Sequence, residues 1–323
     1  MITQQQANSR GLVIILAVML DWIFGDPSNR FHPVAWMGTA IAKMGEYAPK
    51  SDDPQRKFVF GGLAVLVGLV AASTIARLYR GIAAWFPPLI SVLLEAVALK
   101  MMLSLRGLVD AGRQVEQPLL DGDIETARQQ LSWHLVSRDT SALNESQVTA
   151  AAIESIAENA SDSLIAPLFF YSQGGLPAVF AYRFLNTMDA MWGYRNERYE
   201  WQGKIAARLD DVTNWIPARL TALFITGAAA ITEENAKGAW QIWQRDAEQT
   251  DSPNAGQPMS AMAGALDVEL EKAGQYQLGA GLAKPGPTDI ARSISVLQVA
   301  SILGVILLAL FADKIRVPSS SGR

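Results

Sequence analysis

The sequence predicts an all-α, polytopic integral membrane protein in which amphipathic helices and polar loops form a site at the membrane surface. Three observations indicate this fold class. Hydrophobic residues make up 50% of the chain and charged residues only 18%, against roughly 25% charged residues in soluble domains. Residues 58–76 and 294–312 each carry no charge over 19 residues, which is about the length that crosses a bilayer core. Alternation of apolar and polar residues, which would indicate strands, is scarce.

The N-terminal apolar segment predicts a helix that is retained. Residues 11–20 are apolar and follow Arg10, as in a signal peptide, but no small-residue cleavage site comes after them, and we interpret residues 11–24 as one helix. The segment is too short to span a bilayer by itself unless Asp21 is accommodated. We therefore expect a helix that stays in the mature protein.

Three further apolar segments contain an interruption. Residues 81–99 carry Glu95, and residues 215–231 carry Arg219. Residues 163–182 are interrupted by glycines and a proline between positions 174 and 177, which is tolerated where a helix borders protein or a cavity. Together with the two uninterrupted runs, these segments predict four to six helices in the membrane.

The chain predicts a single membrane-embedded domain over residues 1–323. Three polar segments lie between the apolar ones, at residues 106–162, 183–214 and 237–287. Apolar residues recur every four positions from Ala127 to Leu135, which indicates amphipathic helices in the first polar segment. Asn144 is followed three residues later by Gln147, the pattern of a helix capping box.

Charge and residue counts exclude several classes of function. The net charge is −4 and no basic tract is present, so nucleic acid is not expected as a partner. There is no cysteine, which excludes disulfides and thiolate chemistry. The only two histidines are His32 and His134, too few for a multi-histidine metal site. We interpret His134 as a packed side chain.

The stretch from Glu154 to Asp162 is the most informative part of the chain. Glu154 and Glu158 are four residues apart and share one face of a helix, and Asp162 follows one turn later. These like charges repel one another and need solvent or a cation nearby. Carboxylates at the mouth of an apolar segment are costly unless they are used. The alternative is a solvated, acidic helix end.

Two short loops offer further candidates. In the loop from residue 25 to 38, glycine and proline fix the backbone, so that Asp26 and His32 can be oriented. The alternative is a connecting loop whose aspartate caps the next helix. Arg138 and Asp139 provide a cation and an acid, although Asp139 could equally cap a helix.

Hard oxygen donors and arginines cluster between residues 186 and 219. Asp210, Asp211 and Asn214 carry the oxygen ligands that Mg²⁺ prefers. Arg208 and Arg219 flank them, and the planar guanidinium of arginine suits phosphate. The chain has neither a Walker loop nor a glycine-rich dinucleotide motif, so ATP would have to be bound in another manner. The alternative is a charged loop that faces the cytoplasm.

In their order along the chain, these motifs resemble the CobD/CbiB family of cobalamin biosynthesis. The matching motifs cover roughly residues 20–264. They are Gly25-Asp-Pro, His32-Pro-Val, Arg138-Asp-Thr, Glu154-Ser-Ile-Ala-Glu-Asn, Asn186-Thr-Met-Asp, Ala207-Arg-Leu-Asp-Asp and Ser252-Pro-Asn-Ala-Gly. Each motif alone is weak, but the series is specific.

The resemblance implies an adenosylcobinamide-phosphate synthase, a multi-pass protein of the bacterial inner membrane. Such an enzyme uses ATP and Mg²⁺ to join a carboxylate of adenosylcobyric acid to aminopropanol phosphate, and the product is the amide adenosylcobinamide phosphate. The expected partners are therefore a corrinoid substrate, a phosphorylated amino alcohol and the lipid bilayer. A homo-oligomer is compatible with this interpretation.

The motifs and the resemblance together assign the site residues. We assign catalytic roles to His32, Glu154, Glu158 and Asp211, with His32 as the leading candidate for proton transfer. We assign substrate binding to Asp26, Arg138, Asp139, Asn159, Asn186, Asp189, Arg208, Asn214, Arg219 and Asn254. We assign metal ligation to Asp162, Asp210 and Asp211.

One segment departs from the family pattern. Between residues 265 and 288 the family tends to have a glycine-rich stretch, whereas this chain carries acidic and amphipathic residues. We expect Glu269 and Glu271 to repel a phosphate and so to weaken binding of a phosphorylated amine.

An alternative of another class is a non-enzymatic membrane modulator or transporter of the AmpE-like type. The acidic motif at Glu154 and Glu158 favours the enzyme.

Overall fold

The computed structural model describes residues 10–50 and 53–314, and these are almost entirely helical. The predicted all-α membrane fold is confirmed. The helices are α1 Arg10–Phe24, α2 Pro33–Glu46, α3 Pro54–Ala83, α4 Pro88–Lys100, α5 Leu105–Leu120, α6 Ile124–His134, α7 Glu145–Ala160, α8 Ala166–Gly174, α9 Leu176–Trp192, α10 Lys204–Thr213, α11 Trp215–Ile231, α12 Ala236–Asp246, α13 Gly256–Leu266 and α14 Thr288–Lys314. A 3₁₀ turn spans Asn29–Phe31 and a π-helical segment spans Ser161–Ile165. Two short antiparallel strands, β1 Leu270–Lys272 and β2 Tyr276–Leu278, form a hairpin.

Three described stretches are long and apolar enough to cross a membrane: α3, Pro88–Leu120 and α14. Helices α3 and α14 contain the two uncharged runs that the sequence predicted as spans. The stretch Pro88–Leu120 is not one regular helix, because the chain turns at residues 101–104 between α4 and α5. Helix α11 is apolar but shorter. Length and composition thus support three spans among the described residues, with α11 as a shorter fourth candidate.

Large apolar side chains on α3 remain exposed. Leu63, Val67, Val70 and Leu78 each expose more than half of their surface, from 57% to 63%. Burying such surface in lipid is favourable by about 25 cal/mol per Å² of apolar area. We therefore expect the protein to sediment with membranes and to resist carbonate extraction, as assayed by immunoblotting. Recovery in the soluble fraction without detergent would contradict the membrane assignment.

The described residues cluster into two compact units. The first comprises residues 10–50, 53–104, 167–213 and 305–314, and the second comprises residues 105–166 and 214–304. The predicted single domain over residues 1–323 stays a prediction.

Close helix packing in the first unit depends on glycine. Helix α3 packs against α9 and α10, and α1 packs against α4. A Cβ atom added at Gly61 of α3 would lie 1.9 Å from the backbone carbonyl oxygen of Gln202. By contrast, a Cβ atom at Gly81 of the same helix would meet nothing within 4 Å. The two glycines therefore have the same backbone conformation but opposite steric surroundings.

These surroundings predict opposite effects of the same substitution. We expect Gly61→Ala to destabilise the protein by about 1–3 kcal/mol, because a backbone atom must move. We expect Gly81→Ala to be neutral or stabilising by up to about 1 kcal/mol, since alanine loses less conformational freedom in a helix. Thermal unfolding of both variants in the same detergent tests this. Equal melting temperatures would show that α3 and Gln202 are not in contact.

The first unit also contains an apolar cavity of about 480 Å³. Helices α2, α3, α4 and α9 form its walls, and its lining includes Trp36, Val67, Ile75, Met101 and Phe184. The Tyr79 hydroxyl at its edge donates to the Leu94 carbonyl at 2.8 Å, so the cavity has scarcely any polar surface to hold water.

Local sequence signals account for much of the second unit. The side chains of Asn144 and Gln147 exchange hydrogen bonds with each other's backbone N–H groups, both at 3.0 Å, so the predicted capping box is confirmed. Ala127 and Leu131 on α6 are fully buried, as their spacing predicted. Helix α7 then packs against α5, α13 and β1.

The helix that begins at Glu145 continues through a π-helical segment. In this segment the Ala166 N–H donates to the Ser161 carbonyl, five residues earlier instead of four. Such segments are rare and are often found at functional sites. After α8, Gly175 has a φ of 66° and α9 begins at the next residue, which confirms the predicted interruption.

Candidate functional site

The predicted site residues divide between the two units, and each group is described within its own unit. The first unit carries Asp26, His32, Asn186, Asp189, Arg208, Asp210 and Asp211. The second unit carries Arg138, Asp139, Glu154, Glu158, Asn159, Asp162, Asn214, Arg219 and Asn254.

In the first unit, His32 begins α2. Its Nδ1 accepts a hydrogen bond from the Val34 N–H at 3.2 Å, so His32, and not Asp26, caps this helix. This bond places the proton of the neutral ring on Nε2. The Nε2 atom lies 3.5 Å from Asp26 Oδ1. Both ring nitrogens are thus engaged, which leaves neutral His32 without an open basic nitrogen.

Lys100 at the end of α4 and Ser104 in the turn that follows complete this cluster. Lys100 Nζ lies 3.4 Å from Asp26 Oδ1 and also donates to the Gly25 carbonyl. The Ser104 hydroxyl donates to Asp26 Oδ2 at 2.6 Å. Burial opposes ionisation, but hydrogen bonds from His32 and Ser104 and the charge of Lys100 lower the pKa of Asp26 to about 2. Asp26 is therefore a firmly held carboxylate.

Lys100 and Ser104 were not found from the sequence. They lie 74 and 78 residues from Asp26 along the chain, and no local pattern connects residues so far apart. The only sequence signal was the basic end of an apolar segment at Lys100.

A second polar group in the first unit links α9 to α10. Arg183 Nη1 donates to Asn186 Oδ1 at 3.1 Å, and Asn186 Nδ2 donates to the buried Asp210 at 3.4 Å. The neighbouring Asp211 is half-buried, and burial raises its pKa although Arg208 and Arg195 lower it. This structure brings together three of the predicted residues, Asn186, Asp210 and Asp211, on two packed helices.

The remaining two predicted residues of the first unit lie on the same two helices. Arg208 is exposed on α10. Asp189 is half-buried on α9, and its backbone carbonyl accepts from the Gly193 N–H at 2.6 Å at the end of that helix.

Within residues 10–50 and 53–314, no group of three or more histidine, aspartate or glutamate side chains is arranged to hold a metal ion. Mg²⁺ in phosphoryl-transfer sites is usually held by only one or two carboxylates together with substrate phosphates. The donors of Asp210 and Asp211 fit that requirement. Metal ligation by Asp162, Asp210 and Asp211 stays a prediction.

In the second unit, Glu154 is the centre of the site. It lies on α7 with 5% of its surface exposed, and its Oε1 atom has no hydrogen-bond partner. Arg138 Nη2 lies 3.9 Å from Oε2, and the Tyr276 hydroxyl is close enough to the carboxyl group to lower its pKa. Burial raises the pKa of Glu154 to about 7, although Arg138 and Tyr276 lower it.

The hairpin supplies a second cation. Lys272 on β1 pairs with Tyr276 on β2, and its ammonium lies 5.9 Å from the centre of the Tyr276 ring. The positive charge of Lys272 lowers the pKa of both Glu154 and Glu158. Neither hairpin residue was predicted as a site residue, because more than a hundred positions separate them from α7.

Glu158 and Asp162 extend the acidic face that the sequence predicted. Surrounding protein and repulsion from Asp162 raise the pKa of Glu158. The Glu158 side chain is nevertheless exposed, so water weakens both influences on its pKa. Glu154 therefore has the more strongly perturbed pKa of the two. Asn159 is half-buried, and its side chain donates to the Ser155 carbonyl at 2.8 Å within the same helix.

Three other predicted residues have local structural roles. Asp139 is exposed and accepts a hydrogen bond from the Ser141 N–H at 2.9 Å in a turn. Asn214 is buried at the start of α11. Arg219 donates to the Trp215 carbonyl at 2.9 Å and stacks 4.1 Å above the Trp215 ring.

The expectation about His134 is wrong, because this residue is exposed at the end of α6 and is not a packed side chain. Glu269 and Glu271 both form ion pairs with Lys284. One lysine compensates only one of these two negative charges, so the weakened binding of a phosphorylated amine stays a prediction. Asn254 is buried in the turn before α13, where its carbonyl accepts from the Gln257 N–H at 3.0 Å.

Comparison with known proteins gives one consistent family. The family described as "CobD/Cbib protein" matches residues 14–304. A cobalamin biosynthesis protein CobD from Dehalococcoides mccartyi (strain CBDB1) is 40% identical over 296 residues, which cover 92% of this chain and 95% of that protein. A probable cobalamin biosynthesis protein CobD from Methanothermobacter thermautotrophicus is 40% identical over 267 residues, covering 83% and 86%. A CobD protein from Citrobacter koseri is 39% identical over 286 residues, covering 87% and 88%. No solved structure matches the chain.

Proposed function

Since the chain belongs to the CobD/CbiB family, we propose that it is the adenosylcobinamide-phosphate synthase of cobalamin biosynthesis, a multi-pass protein of the bacterial inner membrane. The reaction is the ATP-dependent joining of a carboxylate of adenosylcobyric acid to the amine of aminopropanol phosphate. The observation that carries the proposal is the buried carboxyl group of Glu154. One of its oxygen atoms has no hydrogen-bond partner, and its pKa is raised to about 7.

Amide formation requires a proton acceptor. The amine arrives as an ammonium ion, which has no lone pair and cannot attack a carbonyl carbon. Ionised Glu154 accepts one proton from the ammonium and becomes a neutral acid, and the neutral amine becomes a nucleophile. A base with a pKa near the working pH is the most effective for this transfer. This role was first assigned to His32, but its two nitrogens are engaged by Val34 and Asp26, so the geometry favours Glu154.

Carboxylate activation requires charge stabilisation. ATP would transfer a phosphoryl group to the carboxylate oxygen with release of ADP, phosphate would leave when the amine attacks the acyl carbon, and Mg²⁺ held by Asp210 and Asp211 would neutralise phosphate charge. In the first unit, Asp210 and Asp211 provide hard oxygen donors, and Arg208 provides an exposed guanidinium suited to phosphate. Asn186 positions Asp210 through its amide. We assign ATP and Mg²⁺ to this group.

Direct assay tests the proposal. Purified protein in detergent is incubated with adenosylcobyric acid, ATP, Mg²⁺ and aminopropanol phosphate, and the amide is detected by mass spectrometry. We expect product in the complete mixture and none when ATP is omitted or Mg²⁺ is chelated. Failure to form the amide with all substrates present and the protein folded would reject the enzyme assignment.

The non-enzymatic alternative of the AmpE-like type is less well supported. A modulator that acts only through protein contacts gains nothing from a buried carboxyl group whose ionisation at neutral pH is costly. In a transporter such a group can relay protons, so amide formation in the direct assay, and its loss in Glu154→Gln, distinguishes the enzyme from both alternatives.

A further inference from the structure

We infer that Lys272 and Arg138, together with Glu154 and Glu158, form a binding site for a small zwitterion that carries an ammonium and a phosphate. This inference rests on the proposed function, of which it identifies the site for the amine substrate. It adds two residues of the hairpin, Lys272 and Tyr276, to the site.

The carboxyl group of Glu154 has hydrogen-bond acceptors that no protein group satisfies. Its Oε1 atom has no hydrogen-bond partner, and Arg138 approaches its Oε2 atom only to 3.9 Å, beyond hydrogen-bonding distance. A carboxyl oxygen without a hydrogen-bond partner is costly on a side chain that is only 5% exposed, unless a ligand binds there.

Other buried carboxylates in the same unit are fully engaged. Asp246 accepts two hydrogen bonds from Arg245, at 2.7 and 2.8 Å, and one from the Gly279 N–H at 2.7 Å. Glu269 accepts from Lys284 and from a backbone N–H. These carboxylates have structural roles, and the difference identifies Glu154 as the position that awaits a ligand.

The charges at this site complement a zwitterion. Glu154 and Glu158 repel one another and are stabilised by an ammonium group. Arg138 can hold a phosphate through its planar fork. Lys272 lies on β1, which packs against α7, and its charge lowers the pKa of both carboxyl groups. Ammonium alone would leave the two cations unsatisfied, and phosphate alone would meet the two carboxylates. A ligand with both groups satisfies all four side chains.

Tyr276 acts as a positioning residue. Its hydroxyl interacts with the Glu154 carboxyl group and lowers the pKa of that group, while the buried Oε1 atom has no hydrogen-bond partner within the protein. The hairpin thus contributes a cation and a tyrosine hydroxyl to the site.

Binding without turnover tests this inference. Isothermal titration of the purified, detergent-solubilised full chain uses phosphoethanolamine as the probe, without ATP or corrinoid. We expect phosphoethanolamine to bind at least ~10-fold more tightly than ethanolamine or inorganic phosphate, because each fragment loses one pair of charge-assisted hydrogen bonds. We expect Lys272→Met to weaken phosphoethanolamine binding by ~10-fold or more and to leave ethanolamine binding nearly unchanged.

Lys237→Met serves as the control, because it removes an exposed lysine of the same unit and should bind like the unaltered protein. Tyr276→Phe tests the positioning role. It should move the acid limb of the pH–turnover profile upward, since it removes a hydroxyl that lowers the pKa of Glu154. A merely structural tyrosine would not move this limb.

The outcomes separate this inference from the proposed function. If the amide forms but Lys272→Met binds phosphoethanolamine as tightly as the unaltered protein, the enzyme assignment stands and the site is elsewhere. If inorganic phosphate binds as tightly as phosphoethanolamine, the site is a plain anion site and the inference is wrong. If the zwitterion binds as expected but no amide forms, the inference stands and the proposed function fails.

Discussion

Turnover is expected to fall by ~10²–10⁴-fold when Glu154 is replaced by glutamine, the usual cost of losing a general base. Glutamine keeps the size and polarity of the side chain, but it cannot accept a proton. The measurement is kcat for amide formation at saturating substrates and about pH 8, where Glu154 would be ionised.

A matched control lies on the same helix. Glu145→Gln makes the identical change at the exposed first residue of α7, and we expect its turnover to stay within about twofold of the unaltered protein. In the unaltered protein, turnover should rise with pH through about 7, as Glu154 loses its proton. If Glu154→Gln and Glu145→Gln have equal turnover, Glu154 is not the proton acceptor.

The same substitution is expected to stabilise the protein at alkaline pH. The folded-state pKa of Glu154 is about 7, above its ordinary value of 4.5, so the folded state binds the proton more tightly than the unfolded state does. The stabilisation from this proton is complete below about pH 4.5 and is lost as pH rises through about 7. At about pH 8 the loss is roughly 3 kcal/mol, at about 1.4 kcal/mol per pKa unit.

Glutamine does not ionise, so it avoids this loss. We expect Glu154→Gln to raise the melting temperature by a few degrees at about pH 8 and to have little effect at about pH 5. Thermal unfolding of both proteins across this range in one detergent provides the measurement. A melting-temperature difference that does not change with pH would mean that Glu154 titrates normally.

Local patterns in the sequence predicted the helical fold well. Hydrophobic runs at residues 58–76 and 294–312 lie inside α3 and α14. The Asn144 capping box and the break before Pro177 were also correct. Each of these features is set by residues within one or two turns of each other, so a short window of sequence contains the physical cause.

Contacts between distant segments could not be predicted in this way. Lys100 meets Asp26 across 74 residues, and the hairpin brings Lys272 and Tyr276 to Glu154 across an even longer separation. A charge pattern predicts which residues are available for pairing, but the packing of helices decides which residues meet. The same reason applies to Glu269, whose charge was visible in the sequence but whose ion-pair partner Lys284 was not.

The apolar cavity between α2, α3, α4 and α9 has a practical consequence for handling the protein. A space of about 480 Å³ lined by side chains such as Val67 and Phe184 offers water too few partners to stay. In a micelle we expect a detergent alkyl chain to enter this space, and a chain that occupies it stabilises the folded protein according to its concentration and affinity. The length of the detergent tail is therefore expected to affect how long the purified protein stays folded. Activities measured in two detergents then refer to proteins whose cavity is filled to different extents.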